Sequence, residues 1–314
     1  PLRMSAHSES MPKVVALAGG VGGARLVDGL DGALPHGALT VVVNTGDDFE
    51  HWGLHISPDL DTITYTLAGL APEERGWGIA GDSFHALEEA KRRGADDWFQ
   101  LGDRDLVTHL FRTRSLAGGS SLTQATAALC DALGVERRIL PMSDTPRATK
   151  ILTKEGPELP FQEWLVKARA APKVHAVRYE GATLPTGAVL DALAAADLVI
   201  ICPSNPYVSI DPILGLDGIT DALRGVTTVA VSPIIGGRAV KGPLGEMMRT
   251  IDACEPSAEA VARHYGDLLD AYAVQKGDGF SAPFPVFETN ILIPSKRDRL
   301  VFARELLELS RSLR

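Results

Sequence analysis

At 314 residues, 45% hydrophobic and 23% charged, the chain is long enough for one large α/β domain or two smaller ones with a well-buried core. Its formal net charge of −9, with no Lys/Arg stripe, excludes nucleic acid and anionic membranes as natural partners; an anionic ligand must be met locally by backbone N–H groups, a few arginines or a cation. Cys130, Cys202 and Cys254 share no metal-ligand spacing and no apolar run is long enough to span a bilayer, which fits a protein of the reducing cytoplasm.

Residues 1–10 are polar and patternless and read as a disordered lead or cloning scar, with a single domain over 11–314. Val14 to Ala18 is a strand of buried type that runs straight into Gly19-Gly20-Val21-Gly22-Gly23. Leu26, Val27 and Leu30 then recur at helical spacing. Glycines between strand and helix let the backbone approach a ligand and leave the first helical N–H groups for a phosphate. Arg25 stands where a dinucleotide fingerprint has its third glycine, and no Gly-Lys-Ser/Thr follows to make a P-loop. A bare strand-to-helix turn is the plain alternative, but it needs fewer glycines.

A second strand, 39–43, ends in Asn44-Thr45-Gly46-Asp47-Asp48, and Pro58-Asp59-Leu60-Asp61 follows. Carboxylates at i and i+2 of an extended or turning segment face one side. An anion cradle opposite such a cluster suits a metal-dependent reaction on a diphosphate. Asp47 and Asp59, taken singly, read equally well as turn and cap residues. Asp48 and Asp61, as a pair opposite the glycines, read as functional.

Residues 62–135 are mostly helical in pattern, a lobe beside the sheet. Asp82 or Ser83 is placed to cap the helix SFHALEEAKRRG, and Ser121-x-x-Gln124 resembles a capping box. In Leu101-Gly102-Asp103-Arg104-Asp105-Leu106-Val107-Thr108-His109, Asp103 can cap its own helix. Arg104 reads as a surface or phosphate-gripping group, with Thr108 one turn along, and His109 as structural. Short β-patterns follow at 138–142, 148–153, 160–166 and 174–179, the middle two forming a hairpin about Glu155-Gly156-Pro157.

A helix over 187–195 leads to apolar strands at 198–202 and 226–231. These end in Pro203-Ser204-Asn205-Pro206 and Ser232-Pro233-Ile234-Ile235-Gly236-Gly237. Continuous apolar runs joined by helix-length connections predict parallel strands covered on both faces, with ligands off their carboxyl ends. The strand-end turns either simply end strands or bond a nucleotide. Trp52, Trp77 and Trp98 in loop-like stretches are candidates to stack on a planar ring or to fill the core. Strands at 271–275 and 286–293 and a helix from Ser295 finish the chain.

GGVGGARL, VVNTGDD, SPDLDT, GWGI with GDSF, LGDRDLVTH, ILPMSD, FQEW, PSNPYVSI and SPIIGG occur in this order from Gly19 to Gly237. Each is weak alone; as a collinear set they resemble the 2-phospho-L-lactate transferase family, its bacterial branch more than the archaeal one. The resemblance implies a Rossmann-like α/β fold, a mostly parallel sheet with helices on both faces and a helical lobe, usually as a homodimer. It implies a step in making coenzyme F-420. A guanosine-diphosphate-linked lactyl, enolpyruvyl or glyceryl donor gives its phospho-acid group to the ribityl hydroxyl of 7,8-didemethyl-8-hydroxy-5-deazariboflavin (FO). GMP leaves, and Mg²⁺ is required.

Carried over residue by residue, Gly19, Gly20, Gly22 and Gly23 hold the diphosphate. Asp48 and Asp61 bind Mg²⁺ with Asp59 in support, and Asp61 lies near the acceptor hydroxyl. Ser204, Asn205, Pro206, Ser232 and Ile235 line the guanosine-phosphate side; Leu101, Gly102, Arg104 and Thr108 border FO. Asp61, Asp48 and Arg104 are the implied catalytic group. Replacing Asp61 with Asn is expected to abolish turnover and leave the fold intact. A nucleotide-sugar-binding regulator with the same core is the rival reading, followed by an NAD(P)-dependent oxidoreductase. The missing third glycine counts against the latter.

Overall fold

Seven short apolar runs make one parallel sheet in the computed structural model, which describes residues 12–313. The lead expected over 1–10 lies outside the described residues. In chain order the strands are β1 (Val14–Ala18), β2 (Leu39–Val43), β3 (Arg138–Pro141), β4 (Leu198–Ile201), β5 (Thr228–Val231), β6 (Ala271–Gln275) and β7 (Val286–Thr289). In space they run β7-β6-β5-β4-β1-β2-β3, each neighbouring pair parallel. The chain starts at the centre, winds to one edge, then returns beside β1 and winds to the other. Strand order therefore reverses between β1 and β4, and a crevice opens there beyond the carboxyl ends.

β1 is buried at every position because both of its faces are covered. Val15 and Leu17 join a cluster with Val189, Ile210 and Met247 on one side. Val14, Ala16 and Ala18 join Leu26, Ile63 and Phe302 on the other. Helices α1 (Gly20–Ala33) and α2 (Pro58–Leu67) belong to this second layer, against the C-terminal helix Lys296–Arg311. The expected α/β, Rossmann-like sheet with helices on both faces is thus the observed one.

Between β2 and β3 the chain forms α3 (His85–Arg92), α4 (Asp103–Ala117) and α5 (Leu122–Ala132). The Ser121–Gln124 capping box is present. The other two caps are exchanged. Asp103 accepts from the N–H groups of His85 and Ala86 at the start of α3, while Asp82 accepts from those of Arg104 and Asp105 at the start of α4. Each carboxylate caps the neighbouring helix, which no single-helix pattern can reveal. Gly102 is required by this clasp, since a Cβ there would collide with the Asp82 carboxylate.

The expected hairpin exists only in part. Arg147–Thr153 pairs antiparallel with Leu159–Pro160 on one side and Val174–Gly181 on the other. The strand read over 160–166 instead turns at Pro160 into a π-helical segment, Glu163–Lys167. Trp164 is buried there, its indole N–H donating to the Pro172 carbonyl at 2.8 Å.

Candidate active site

The β1–α1 turn forms the floor of the crevice. Gly20 has φ +61, the left-handed region that favours glycine, and a Cβ on Gly22 would strike the Pro203 carbonyl oxygen. The glycines thus let β1–α1 close against the turn after β4. The Gly19 N–H donates to Ser204 Oγ at 3.1 Å, and Ser204 donates back to the Gly19 carbonyl at 2.7 Å. The Gly20 N–H donates to Asp59 at 2.7 Å. Helix geometry leaves the N–H groups of Val21 and Gly22 with no intrahelical partner. Both residues wall a cavity of about 390 Å³, and α1 has no acidic side chain in its first turn. Its dipole is free to face an anion.

The same cavity is walled by Gly19, Gly20, Asp47, Asp59, Ser204, Asn205 and Ser232, with Val240, Leu244 and Ile291–Ile293 supplying apolar surface. Gly23 instead packs on Ser204 and Ala18. Pro206 is buried at the start of a π-helical turn, and Ile235 sits in a two-residue strand beside Arg238–Ala239. Asn44 organises the carboxylates. Its side-chain amide donates to Asp47 at 3.0 Å and Asp59 at 2.9 Å, and Gln162 donates to Asp47 at 2.7 Å. Burial pushes the Asp59 carboxyl up to about 6, with the Asn44 and Gly20 hydrogen bonds opposing it. Burial, then Asp59 and Asp48, push Asp47 well above the carboxylate range. Among the described residues neither Asp47 nor Asp59 forms an ion pair; their hydrogen bonds come from neutral amides.

A second cavity, about 660 Å³, adjoins the first; Trp77, Gln162 and Leu165 wall both. Tyr65, Trp98 and Phe99 supply aromatic walls, Asp61, Asp105 and His109 a polar end, and Lys167 and Arg169 two cations. Asp61 is held by Arg112, whose guanidinium is paired with both carboxylate oxygens and is 1% exposed. His109 Nδ1 lies 3.6 Å from Asp61 and Nε2 lies 3.3 Å from Asp105, which accepts from the Tyr65 hydroxyl at 2.7 Å. Burial works against the Asp105 charge, but His109 and Tyr65 outweigh it and hold its carboxyl below the usual range.

The residues expected to border FO sit just behind these walls. Leu101 is buried, Gly102 and Arg104 belong to the cap clasp, and Arg104 reaches the Ala80 carbonyl at 3.3 Å. Thr108 is buried on α4, while Asp105 and His109 of the same helix reach the cavity. Arg112 and Gln162 had no site reading in the sequence; FQEW flagged the second, and nothing flagged the first. Trp77 and Trp98 wall the aromatic cavity, whereas the Trp52 indole N–H donates to the Asp96 carbonyl.

The implied Mg²⁺ ligands wall different cavities, though Arg112 feels the charge of both Asp48 and Asp61. Asp59 walls the glycine cavity, Asp61 faces the aromatic one, and Asp48 opens on a separate hollow with His55 and Arg147. Asp48 accepts from Ser57 at 2.7 Å and contacts His55 at 3.1 Å, and its Oδ1 is buried without a hydrogen bond. Among the described residues no group of three or more His, Cys, Asp or Glu is set to hold a metal. A magnesium site needs fewer, since Mg²⁺ is commonly held by one or two carboxylates together with substrate phosphates. Asp47 and Asp59, buried, uncompensated and beside the helix N-terminus, fit that donor set.

A family model described as 2-phospho-L-lactate transferase CofD matches residues 14–281. A phosphoenolpyruvate transferase of Thermobifida fusca is 46% identical over 281 residues, 85% of this chain and 87% of its own length. One of Nocardia farcinica is 39% identical over 317 residues, 95% of each chain. Among solved structures, a Bacillus halodurans protein of the UPF0052 family superposes with TM-score 0.55 at 18% identity, covering 88% of this chain and 87% of its own. At that identity it shows the fold alone.

Proposed function

The chain belongs to the 2-phospho-L-lactate transferase family, and on that premise we propose that it moves a phospho-acid group from a guanosine-diphosphate-linked three-carbon acid to FO, releasing GMP, in coenzyme F-420 biosynthesis. One observation carries the reading: a cavity fitted for a nucleotide diphosphate and a cavity fitted for a planar ring share the wall Trp77–Gln162–Leu165. The diphosphate lies along the Val21 and Gly22 N–H groups, with Ser204 and Asn205 beside it and the guanosine over the apolar side. FO lies among Tyr65, Trp77, Trp98 and Phe99, its ribityl chain towards the shared wall.

In the transfer, the FO hydroxyl oxygen bonds to the phosphorus that carries the acid. The bond from that phosphorus to the bridging oxygen breaks, and GMP keeps the oxygen. Reaction of this kind is mostly positioning and charge neutralisation. Arg112 fixes the Asp61 carboxylate in one orientation, from which it accepts a hydrogen bond from the attacking hydroxyl. His109, whose Nδ1 accepts from Arg112 at 3.3 Å and whose Nε2 faces Asp105, steadies that pair while Asp61 takes up the released proton. Asp47 and Asp59 would hold Mg²⁺, which supplies charge neutralisation on the phosphates when bound. Val21 and Gly22 stabilise the charge growing on the leaving GMP.

The test is mass spectrometry of FO incubated with the protein, Mg²⁺ and each of the lactyl, enolpyruvyl and glyceryl donors. FO gaining one phospho-acid unit as GMP appears is the expected result and names the donor. No product with any of them overturns the reading.

A further inference from the structure

Three cations from three separate segments converge on the rim of the glycine cavity: Arg25 of α1, Arg75 of the loop before α3, and Lys241 of the loop after β5. None forms an ion pair with a described carboxylate. Each is tied to a backbone carbonyl instead: Arg25 to Glu73 at 3.0 Å, Arg75 to Trp77 at 3.0 Å and Lys241 to Arg75 at 3.0 Å. Arg25 Nε is buried with no partner at all. Burial lowers the pKa of Arg25, with Arg299 adding to it and Glu73 opposing it; burial also lowers that of Lys241, with Arg25 adding to it. In a chain of net charge −9, three cations at one rim, none with an ion-pair partner among the described residues, mark a place for an anion.

The position says which anion. Arg75 lies with its guanidinium carbon 4.2 Å over the Trp77 ring, and Trp77 walls both cavities. A phosphoryl group passing from one cavity to the other must cross that junction, and the three-carbon acid travels on it. The phosphates already have the α1 N–H groups, and Asp47 and Asp59 would hold a cation against them. The remaining charge of such a donor is the carboxylate of its acid. Resting on the transferase reading above, we propose that Arg25, Arg75 and Lys241 form a subsite for the carboxylate of the transferred acid. A carboxylate is common to lactate, enolpyruvate and glycerate, so the subsite admits all of them and does not choose among them.

The experiment measures nucleotide dissociation constants by calorimetry without FO, so that nothing turns over. Two ligands are compared on wild type, Arg25→Met and Lys241→Met. One is the guanosine-diphosphate-linked acid that serves as donor. The other is the β-ester of GDP in which hydrogen replaces the carboxyl group of that same acid (the ethyl ester where the acid is lactyl), which keeps the diphosphate diester and lacks only the carboxylate. Wild type is expected to prefer the acid by about tenfold or more, the size of one charge-assisted contact, and each variant to lose most of that preference while holding the ester as before. Unchanged ester binding also shows that the cavity is intact. Equal weakening of both ligands would assign the cations to the diphosphate and overturn the proposal, as would a preference that survives both substitutions. A wild-type protein that binds neither nucleotide sinks the transferase reading itself; one that binds both with the expected preference, yet leaves FO unchanged, sinks only the acceptor.

Discussion

The two adjoining cavities treat the same residue type in opposite ways. In the aromatic cavity each carboxylate is already answered: Asp61 by Arg112, Asp105 by the Tyr65 hydroxyl and His109. In the glycine cavity Asp47 and Asp59 receive only neutral amides, those of Asn44, Gln162 and Gly20. All four are buried, yet Asp105 is held below the carboxylate range while Asp47 and Asp59 are pushed above it. Burial is common to both sites, so the neighbouring charge decides the sign. The carboxylates of the aromatic cavity form a frame finished within the chain. On the reading proposed above, the glycine cavity would be completed by a cation that arrives with its ligand.

The largest effect should come from undoing the finished frame. Arg112→Met leaves Asp61 buried without its cation, and Asp61→Asn leaves Arg112 buried with a weaker partner. Either is expected to lower stability by about 3–5 kcal/mol, because a buried charge loses its counter-charge. This changes the sequence-based expectation for Asp61→Asn: turnover goes, and stability goes with it. Urea unfolding of both variants checks this, and a loss under about 1 kcal/mol would mean that water reaches the pair.

A smaller effect, in pH, comes from the unfinished side. The folded-state pKa of Asp59 is about 6, above its ordinary 3.8, so between those values the folded protein binds more protons than the unfolded chain. Stability from this group is therefore full below about 3.8 and is lost as pH rises towards 6, the reverse of the usual aspartate. Asp47 and Asp48 shift in the same direction, burial being the first cause in each. The unliganded protein should melt higher at pH 5.5 than at pH 7.5, by roughly 1 kcal/mol from Asp59, with Asp47 adding in the same direction. Mg²⁺ with GDP should stabilise more at pH 7.5 and narrow the gap. Stabilisation by Mg²⁺ and GDP that ignores pH would remove Asp47 and Asp59 from the metal.

How much of this was legible in the sequence follows from how local each feature is. Val14–Ala18, Leu198–Ile201 and Thr228–Val231 are continuous apolar runs, so parallel pairing could be read from them directly. The glycine turn announced itself too, though part of its reason is internal: Gly22 makes room for the Pro203 carbonyl as well as for a ligand. What could not be read is pairing at a distance. Asp61 and Arg112 are 51 residues apart, and Arg112 carries no motif of its own. The spacing argument put Asp59 and Asp61 on one side of an extended or turning segment, but Pro58–Leu67 is helical, so Asp59 faces the glycine cavity and Asp61 the aromatic one.

The smallest expected effect separates a motif that frames the aromatic cavity from the residues that wall it. LGDRD and GDSF look like substrate motifs, but Asp103 and Asp82 are occupied in capping each other's helices, and Ser83 adds a 2.6 Å hydrogen bond to Asp103. Removing a cap of this kind costs about 1 kcal/mol. Asp103→Ala should therefore lose about that much stability in urea and leave the Michaelis constant for FO within about twofold, a difference under 0.5 kcal/mol. His109→Ala should do the opposite, changing the rate constant far more than the cap variant does, because His109 walls the cavity and touches Asp61. A tenfold rise in the FO Michaelis constant for Asp103→Ala would bring the clasp into the acceptor site, and the division between frame and wall would fall.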